Sequence, residues 1–242
     1  MTEQDYSVFD VVVVGSGAAG MVAALTAAHQ GLSTVVVEKA PHYGGSTARS
    51  GGGVWIPNNE VLQRDGVKDT PEAARTYLHA IIGDVVPAEK IDTYLERGPE
   101  MLSFVLKHSP LKLCWVPNYS DYYPETPGGK PSGRSVEPKP FNARKLGPDE
   151  KGLEPPYGKV PLNMVVMQQD YVRLNQLKRH PRGLLRSVVA LDVGGRVGLR
   201  VAQTGCFCQR ILVGRAGGFH GVQDEVGGAV DDSGDALDLV TS

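Results

Sequence analysis

The sequence has few cysteines and almost no net charge. Three cysteines among 242 residues are too few for a disulfide framework, and they fit a reducing compartment. The spacing Cys206-x-Cys208 has no further ligands nearby, so no metal is expected. A formal net charge of −2 gives no electrostatic reason to expect nucleic acid or an anionic membrane as a partner.

Long apolar runs are absent as well. No run reaches the roughly 18 residues that a membrane span needs. The N-terminus carries Glu3 and Asp5 and lacks the basic and apolar regions of a signal peptide. We therefore expect a cytoplasmic protein without a membrane span.

A β-α-β pattern begins near the N-terminus. Residues 9–14 (FDVVVV) form a continuous apolar run, which predicts a central parallel strand buried on both faces. Residues 21–29 predict a helix, and Gly31 is positioned to cap its C-terminus. A second strand follows at 33–37 and ends at Glu38. The sequence therefore predicts an α/β fold with a parallel sheet.

Between the first strand and the helix lies the sequence GSGAAG, at positions 15–20. In this pattern Gly15 makes a tight turn, Gly17 lets the backbone approach a pyrophosphate, and Gly20 lets the helix pack against the strand. The N–H groups at the start of the helix, at Ala18 and Ala19, are positioned to bind phosphates. The ordered pattern predicts a Rossmann-like dinucleotide site, and a turn that binds nothing is the alternative.

Glu38 and the loop after it indicate which dinucleotide is bound. A carboxylate at Glu38 can accept hydrogen bonds from ribose hydroxyls and would repel the 2′-phosphate of NADP. Residues 44–53 contain five glycines and four hydroxyl or basic residues, a composition that presents N–H groups and hydroxyls to a cofactor. We interpret this loop as binding FAD, in preference to a nicotinamide site or a flexible linker. The further candidate contacts are Lys39, Gly45, Ser46, Thr47, Ser50, Gly51 and Gly52.

The loop resembles the FAD-binding loop of the succinate dehydrogenase/fumarate reductase flavoprotein superfamily, through the residues E-K…G-G-S-T…S-G-G. His42, beside it, is expected to be a packing or surface residue.

A threonine N-cap followed by proline predicts a helix over 70–82. A second helix begins near residue 87, and Gly98-Pro99 is expected to interrupt it. An aromatic stretch at 114–124 then precedes a loop rich in proline and glycine, which suggests a wall for a flat, apolar ligand.

Together these segments resemble the N-terminal region of the bacterial 3-ketosteroid Δ1-dehydrogenases, over residues 6 to about 187. The segments that carry the resemblance are VVVVGSGAAGM, VVVEKAPHYGGSTARSGGGVWIPN, the aromatic stretch and SGRSVEPKPFNARKLG. The resemblance covers about the first third of a full family member. It implies FAD as cofactor and a 3-ketosteroid as small-molecule substrate, with hydrogens removed from C1 and C2 and hydride passed to flavin N5. It does not indicate the electron acceptor.

The resemblance also implies a role for Tyr122. In the family a tyrosine base takes the C2 proton, while another tyrosine and a backbone N–H hold the ketone oxygen. Tyr122 matches a tyrosine that supports this base. The alternative is that Tyr122 and Tyr123 are buried core aromatics. The base and the ketone-binding pair lie in later family segments that no position here matches, so we expect no dehydrogenase activity from the chain as written.

The composition changes near residue 187. Residues 188–242 contain 11 Gly and 10 Val but no Lys, Pro, Tyr or Trp, whereas residues 1–187 hold 11 Lys and all 17 Pro. Short runs at 188–201 and 209–213 could be strands, but paired glycines break them. We predict that 1–187 is the N-terminal part of an incomplete FAD-binding domain and that 188–242 is an irregular, poorly ordered tail. A reading-frame change in a GC-rich gene explains such a tail, and a genuine alternative C-terminus is the other explanation.

Two other functions compete with a steroid dehydrogenase. One is a fumarate-reductase-like enzyme of the same superfamily, acting on a dicarboxylate through arginine and histidine. The other is a non-catalytic fragment or binding module. Bound flavin distinguishes the enzymes from the fragment.

Overall fold

The structure is a computed structural model that describes residues 8–157, residues 167, 168 and 170, and the backbone of residues 238–241. The described residues belong to two compact units. The first unit comprises 8–49, 143–157 and 238–241, and the second comprises 50–142 with 167, 168 and 170.

The first unit contains a three-stranded sheet in the order β1-β2-β6. Strands β1 and β2 are parallel, with Val11 opposite Thr34, whereas β2 and β6 are antiparallel. The elements of this unit are β1 (Val11–Val14), α1 (Ala18–His29), β2 (Thr34–Glu38), α2 (Gly45–Arg49), a 3-10 segment (Ala143–Gly152) and β6 (Asp238–Thr241). The predicted β-α-β pattern and its parallel strand pair are therefore confirmed.

The burial of β1 differs from the prediction. Val12 and Val14 are 59% and 85% exposed, although a strand buried on both faces was expected. Alternate residues of a strand point to opposite faces, so Val12 and Val14 lie away from the face that carries Val13, on which α1 packs. The core of this unit lies between that face and α1, where Met21, Ala24, Val35 and Val36 are buried.

The second unit contains helices and a small antiparallel sheet in the order β3-β5-β4. Its elements are β3 (Val54–Trp55), α3 (Glu60–Arg64), α4 (Pro71–Ile82), a 3-10 turn (Gly83–Val85), α5 (Ala88–His108), β4 (Leu113–Trp115) and β5 (Ser135–Pro138). Tyr77 and Leu78 of α4 pack with Ile91 of α5, and Trp55 adds to this core. In this sheet β5 lies between β3 and β4, and β4 carries the start of the aromatic stretch.

The two predicted helices of this unit are present, with one difference. Helix α4 begins after Thr70, whose hydroxyl accepts from the Ala73 N–H at 3.1 Å, as its capping pattern predicts. Helix α5 continues through Pro99 without the expected interruption. A tertiary contact accompanies this continuity: a Cβ at Gly98 would lie 3.1 Å from Ile56 Cγ2, so the glycine lets the helix approach Ile56 closely.

Of the predicted tail, the structure describes only the backbone of Asp238–Thr241, which forms β6. The boundary near residue 187 and the suggested strands at 188–201 and 209–213 lie outside the described residues, so they stay predictions. Among the described residues, no helix has both the length and the apolar character to cross a membrane. Nor does this part of the chain bring together three acidic, histidine or cysteine side chains that could hold a metal ion.

Candidate functional site: a glycine-rich nucleotide cradle and an aromatic-walled cavity

The fingerprint turn between β1 and α1 is built on two glycines. Gly15 has a φ of +92°, a conformation that side chains with a Cβ adopt rarely. A Cβ at Gly20 would lie 1.9 Å from the Gly15 carbonyl oxygen and 3.3 Å from Val13 Cγ1. Glycine at position 20 is therefore required by the packing of α1 on β1, as the sequence pattern predicts.

Gly17 is not required in this way. A Cβ there would meet only Thr47 Oγ1, at 3.9 Å, and its φ of −68° suits any residue. The space in front of Gly17 is therefore open on the protein side. The Ala18 N–H donates to Thr47 Oγ1 at 3.1 Å, but within the described chain no acceptor is recorded for the N–H groups of Ala19 and Gly20. The start of α1 thus presents donors toward open space.

Glu38, Ser16 and Gly44 form a hydrogen-bonded network beside this turn. Glu38 Oε2 accepts from the Ser16 N–H at 2.9 Å and from the Ser16 hydroxyl, and Oε1 accepts from the Ala40 N–H at 3.0 Å. Ser16 Oγ in turn accepts from the Gly44 N–H at 2.8 Å. Ser16 is buried and was not singled out from the sequence. The signal available was a hydroxyl residue inside the fingerprint itself.

The same network sets the charge state of Glu38. Burial by itself raises the pKa of this carboxyl, but hydrogen bonds from the Ala40 N–H and from the Ser16 hydroxyl and N–H lower it by more, so the pKa lies below its ordinary value of 4.5. Glu38 is therefore ionised at neutral pH. The backbone N–H of Lys39 also lowers the pKa of this carboxyl.

The predicted loop after Glu38 divides between the two units. In the first unit Gly45–Arg49 forms the short helix α2, which was not predicted, with Lys39 and Ser46 exposed on either side of Gly44. In the second unit the Gly52 N–H donates to Ser50 Oγ at 3.0 Å, and Gly51 lines a cavity.

His42 lies beside an ion pair between Arg49 and Glu154. Glu154 Oε1 lies 2.9 Å from Arg49 Nε, and Glu154 Oε2 lies 3.9 Å from His42 Nδ1. The Tyr43 carbonyl accepts from the Glu154 N–H at 2.8 Å. These contacts tie the 3-10 segment to the loop before α2.

The second unit contains a cavity of about 490 Å³, a size suited to a drug-sized ligand. Its walls come from the loop before β3, the aromatic stretch and β5. The lining residues are Gly51, Gly53, Val54, Trp55, Val116, Tyr119, Ser120, Asp121, Tyr122, Ser135, Val136, Glu137 and Gln168. None of these described residues is Lys, Arg or His, and two of them are acidic.

Tyr122 lies on the wall of this cavity and is 89% exposed. Tyr123, which is 55% exposed, does not line it. The alternative that both are buried core aromatics is therefore wrong. No described residue hydrogen-bonds to the Tyr122 hydroxyl, so the group is available to a ligand.

Asp121 directly precedes Tyr122 in the sequence and was not identified from the sequence analysis. Its side chain is buried, and Oδ1 accepts from Trp55 Nε1 at 2.8 Å. Its ion-pair partner is Arg134, with Nη1 2.6 Å from Asp121 Oδ2. The available signal was a pair of opposite charges at the two ends of a loop rich in proline and glycine.

Comparison with known proteins identifies the family to which the chain belongs. The FAD binding domain family matches residues 10–218, so the chain belongs to the FAD binding domain family. FAD is the cofactor that this family indicates, as predicted, whereas the assignment of the loop residues to the flavin stays a prediction.

Particular relatives carry the resemblance further. The chain is 90% identical over 188 residues to the 3-oxosteroid 1-dehydrogenase of Mycolicibacterium smegmatis, covering 78% of this chain and 32% of that protein. It is 81% identical over 196 residues to that of Mycobacterium tuberculosis, covering 81% and 34%. The solved 3-ketosteroid delta1-dehydrogenase of Sterolibacterium denitrificans, in complex with 1,4-androstadiene-3,17-dione, superposes with a TM-score of 0.76 at 33% identity, over 84% of this chain and 38% of that one. The resemblance to this family is confirmed, and the chain spans about a third of the length of these relatives.

Proposed function

We propose that the chain is the FAD-binding part of a 3-oxosteroid 1-dehydrogenase, which removes hydrogens from C1 and C2 of a 3-ketosteroid. The identity of 81% and 90% to two such enzymes supports this family over the other flavoproteins of the superfamily. The Rossmann-like arrangement of β1, α1 and β2 supports a flavin dinucleotide bound at the fingerprint turn.

The first unit holds the ADP half of FAD in this proposal. The N–H groups of Ala19 and Gly20, at the positive end of α1, would hold the pyrophosphate, and the lack of side chains at Gly15 and Gly17 would leave room for it. Glu38, which is ionised, would accept a hydrogen bond from a ribose hydroxyl. Ala18 acts indirectly because its N–H already donates to Thr47.

The other candidate contacts take less central places. Lys39 and Ser46 are exposed and available to the phosphates, and Gly45 approaches Gly17, since a Cβ at Gly45 would lie 3.6 Å from the Gly17 Cα. In the second unit we assign Ser50, Gly51 and Gly52 to the flavin loop. When bound, FAD supplies the hydride acceptor of the reaction.

The cavity of the second unit favours a ketosteroid as the ligand. Its walls combine polar groups with the side chains of Trp55, Tyr119 and Val116, which can contact a flat apolar molecule. A dicarboxylate needs cationic partners, and no described lining residue is a cation, while Asp121 and Glu137 carry acids. The identity to two 3-oxosteroid 1-dehydrogenases is the observation that carries the choice of a steroid over a fumarate-like substrate.

Tyr122 takes part in catalysis through its hydroxyl in this proposal. The group is exposed on the cavity wall and makes no hydrogen bond to another described residue. It can therefore donate to a neighbouring phenolate and favour the ionised form of the base.

Ligand binding to the purified chain tests the proposal. We expect the FAD-loaded chain to bind 4-androstene-3,17-dione at least about tenfold more tightly than fumarate, as measured by equilibrium dialysis. Tyr122→Ala should weaken steroid binding by about tenfold, whereas Tyr123→Ala, next to it and outside the cavity, should change it less than twofold. Equal binding of fumarate, or equal effects of the two variants, would contradict the proposed site.

A further inference from the structure

Arg134 is a fully buried cation in the second unit. Its Nε and Nη2 donate to the two oxygens of Asp69, at 2.7 and 3.0 Å. Nη1 donates to Asp121 Oδ2 at 2.6 Å, and Nη2 also donates to the Gly128 carbonyl at 2.9 Å. Neither aspartate side chain is more than 2% exposed. One guanidinium therefore joins two buried carboxylates that are 52 positions apart in the sequence.

Two aromatic rings complete the environment of this arginine. The guanidinium carbon lies 5.8 Å from the centroid of the Trp55 ring and 5.5 Å from that of Tyr77, distances at which a cation is attracted to a ring face. Lys130 Nζ lies 3.6 Å from Asp69 Oδ1. Two cations and two anions thus form a group without net charge, which lowers the cost of burying them.

Asp121 links this group to the loop that carries Tyr122. Its Oδ2 also accepts from the Lys130 N–H at 3.0 Å, and its Oδ1 accepts from the Arg134 N–H at 3.3 Å. The backbone adds two bonds across the loop, from the Asp121 N–H to the Lys130 carbonyl at 2.9 Å and from the Gly133 N–H to the Tyr119 carbonyl at 2.8 Å. Lys130 and Arg134, late in the segment 119–134, therefore hydrogen-bond to the carboxylate of Asp121, near its start.

The buried group lies behind the cavity wall. Trp55 and Asp121 line the cavity, whereas Arg134 and Asp69 do not. Trp55 Nε1 donates to Asp121, so the indole and the Tyr122 segment share one anchor. A buried ion pair adds little to stability compared with apolar packing of the same volume, but four fixed donors on one carboxylate restrict where the wall can lie.

We propose that Arg134 is a positioning residue for the cavity, which acts through Asp121 to hold Trp55 and the Tyr122 segment in their binding geometry. The assignment rests on the proposed function, because it takes the cavity to be the steroid site. Arg134 touches no ligand in this scheme. Asp69 has a part in this positioning because it orients the guanidinium through Nε and Nη2, whereas Asp121 binds Nη1.

Two variants test the proposal in the whole chain. Arg134→Lys keeps the charge, but three ammonium hydrogens cannot reproduce the four bonds of the fork. Asp69→Asn is a milder change, at a site outside the cavity, in case the first variant folds poorly. The matched control is Arg75→Lys, in an exposed pair in which Arg75 Nη1 lies 2.9 Å from Asp92 Oδ1 on α4 and α5 of the same unit.

The first measurement needs no ligand. Hydrogen exchange followed by mass spectrometry should show about tenfold faster exchange over residues 119–134 in both variants, because their amides bond to Asp121 or across the loop. Exchange in α4 and α5 should stay at the level of the parent, and the control should change neither segment. Unchanged exchange over 119–134 would overturn the proposal, as would an equal rise throughout the unit, which is the mark of general destabilisation.

The second measurement uses 4-androstene-3,17-dione and the FAD-loaded chain. Steroid binding should weaken at least about tenfold in Arg134→Lys and less in Asp69→Asn, with the control within twofold of the parent. Faster hydrogen exchange over residues 119–134 together with an unchanged steroid affinity would overturn the proposed link between Arg134 and the cavity. If the parent itself binds no steroid, the proposed function fails while hydrogen exchange still decides whether Arg134 positions the loop.

Discussion

The nucleotide cradle of the first unit and the cavity wall of the second are made from different parts of the chain. The cradle uses backbone N–H groups and glycines within positions 15–20, together with one acid at the end of the next strand. The cavity wall uses side chains, and its anchor joins Asp69, Asp121 and Arg134. A site made of backbone follows from a local pattern, whereas a site made of side chains depends on how distant segments meet.

The largest effect is expected where the cradle depends on packing. In Gly20→Ala the new methyl group would lie 1.9 Å from the Gly15 carbonyl oxygen, so α1 must move away from β1. We expect a loss of about 3 kcal/mol in the free energy of unfolding, measured by urea denaturation. Gly17→Ala, with 3.9 Å of room, is the control and should lose no more than about 1 kcal/mol. Equal losses of stability in the two variants would contradict the claim that packing requires glycine at position 20 but not at position 17.

The second prediction distinguishes an effect on FAD affinity from an effect on protein stability at Gly17. Gly17→Val should reduce FAD affinity by about 100-fold, or about 2.7 kcal/mol, because its side chain occupies the space proposed for the pyrophosphate. Its thermal unfolding in the absence of FAD should change little. Ala23→Val places the same side chain on an exposed position of α1 and should leave flavin binding intact. Undiminished flavin content in Gly17→Val would remove the phosphate site from this turn.

A third prediction concerns the cavity wall. Tyr122→Phe, introduced into a full-length relative, removes one hydroxyl from an exposed ring. Folding should survive while kcat falls by about 10²-fold, since a group that supports an acid–base step contributes on that scale. Tyr123→Phe is the matched control and should keep kcat within twofold. A kcat for Tyr122→Phe as high as that of the control would leave the tyrosine as part of the wall alone.

The smallest effect is a pH dependence of the cradle. The pKa of Glu38 is lowered in the folded chain, so its ionised form adds stability above the ordinary pKa of 4.5, and that contribution is lost as pH falls through the lower, folded pKa. Glu38→Gln should therefore be less stable than the parent at pH 6, by less than about 1 kcal/mol at this partly exposed site. The difference should shrink below pH 4.5. A gap between the two proteins that is constant from pH 6 to pH 3 would contradict the shift.

The sequence was most informative where the cause of a structure is local. Strand, fingerprint, helix and second strand follow one another in the predicted order, and Thr70 caps its helix. Burial was harder to predict, because the exposure of Val12 and Val14 depends on what packs over the face of β1 that lies away from α1. The continuity of α5 through Pro99 was missed since it involves a contact with Ile56, 42 positions before Gly98.

The site divides in the same way. The glycines and Glu38 were predicted as cofactor contacts from their spacing, and Tyr122 as a site residue from the family resemblance, and these assignments stay predictions. Ser16, Asp121 and Arg134 were missed because their importance comes from partners that only the fold brings near. A lone serine in a fingerprint and a lone arginine in a loop have no distinctive spacing of their own.

The exposed valines of β1 have a practical consequence. Val12 and Val14 place two β-branched side chains in water on a strand that, among the described residues, pairs on one side only. Such an edge is a template for strand addition by other chains. Val14→Lys should therefore raise the concentration at which light scattering by the purified protein first appears.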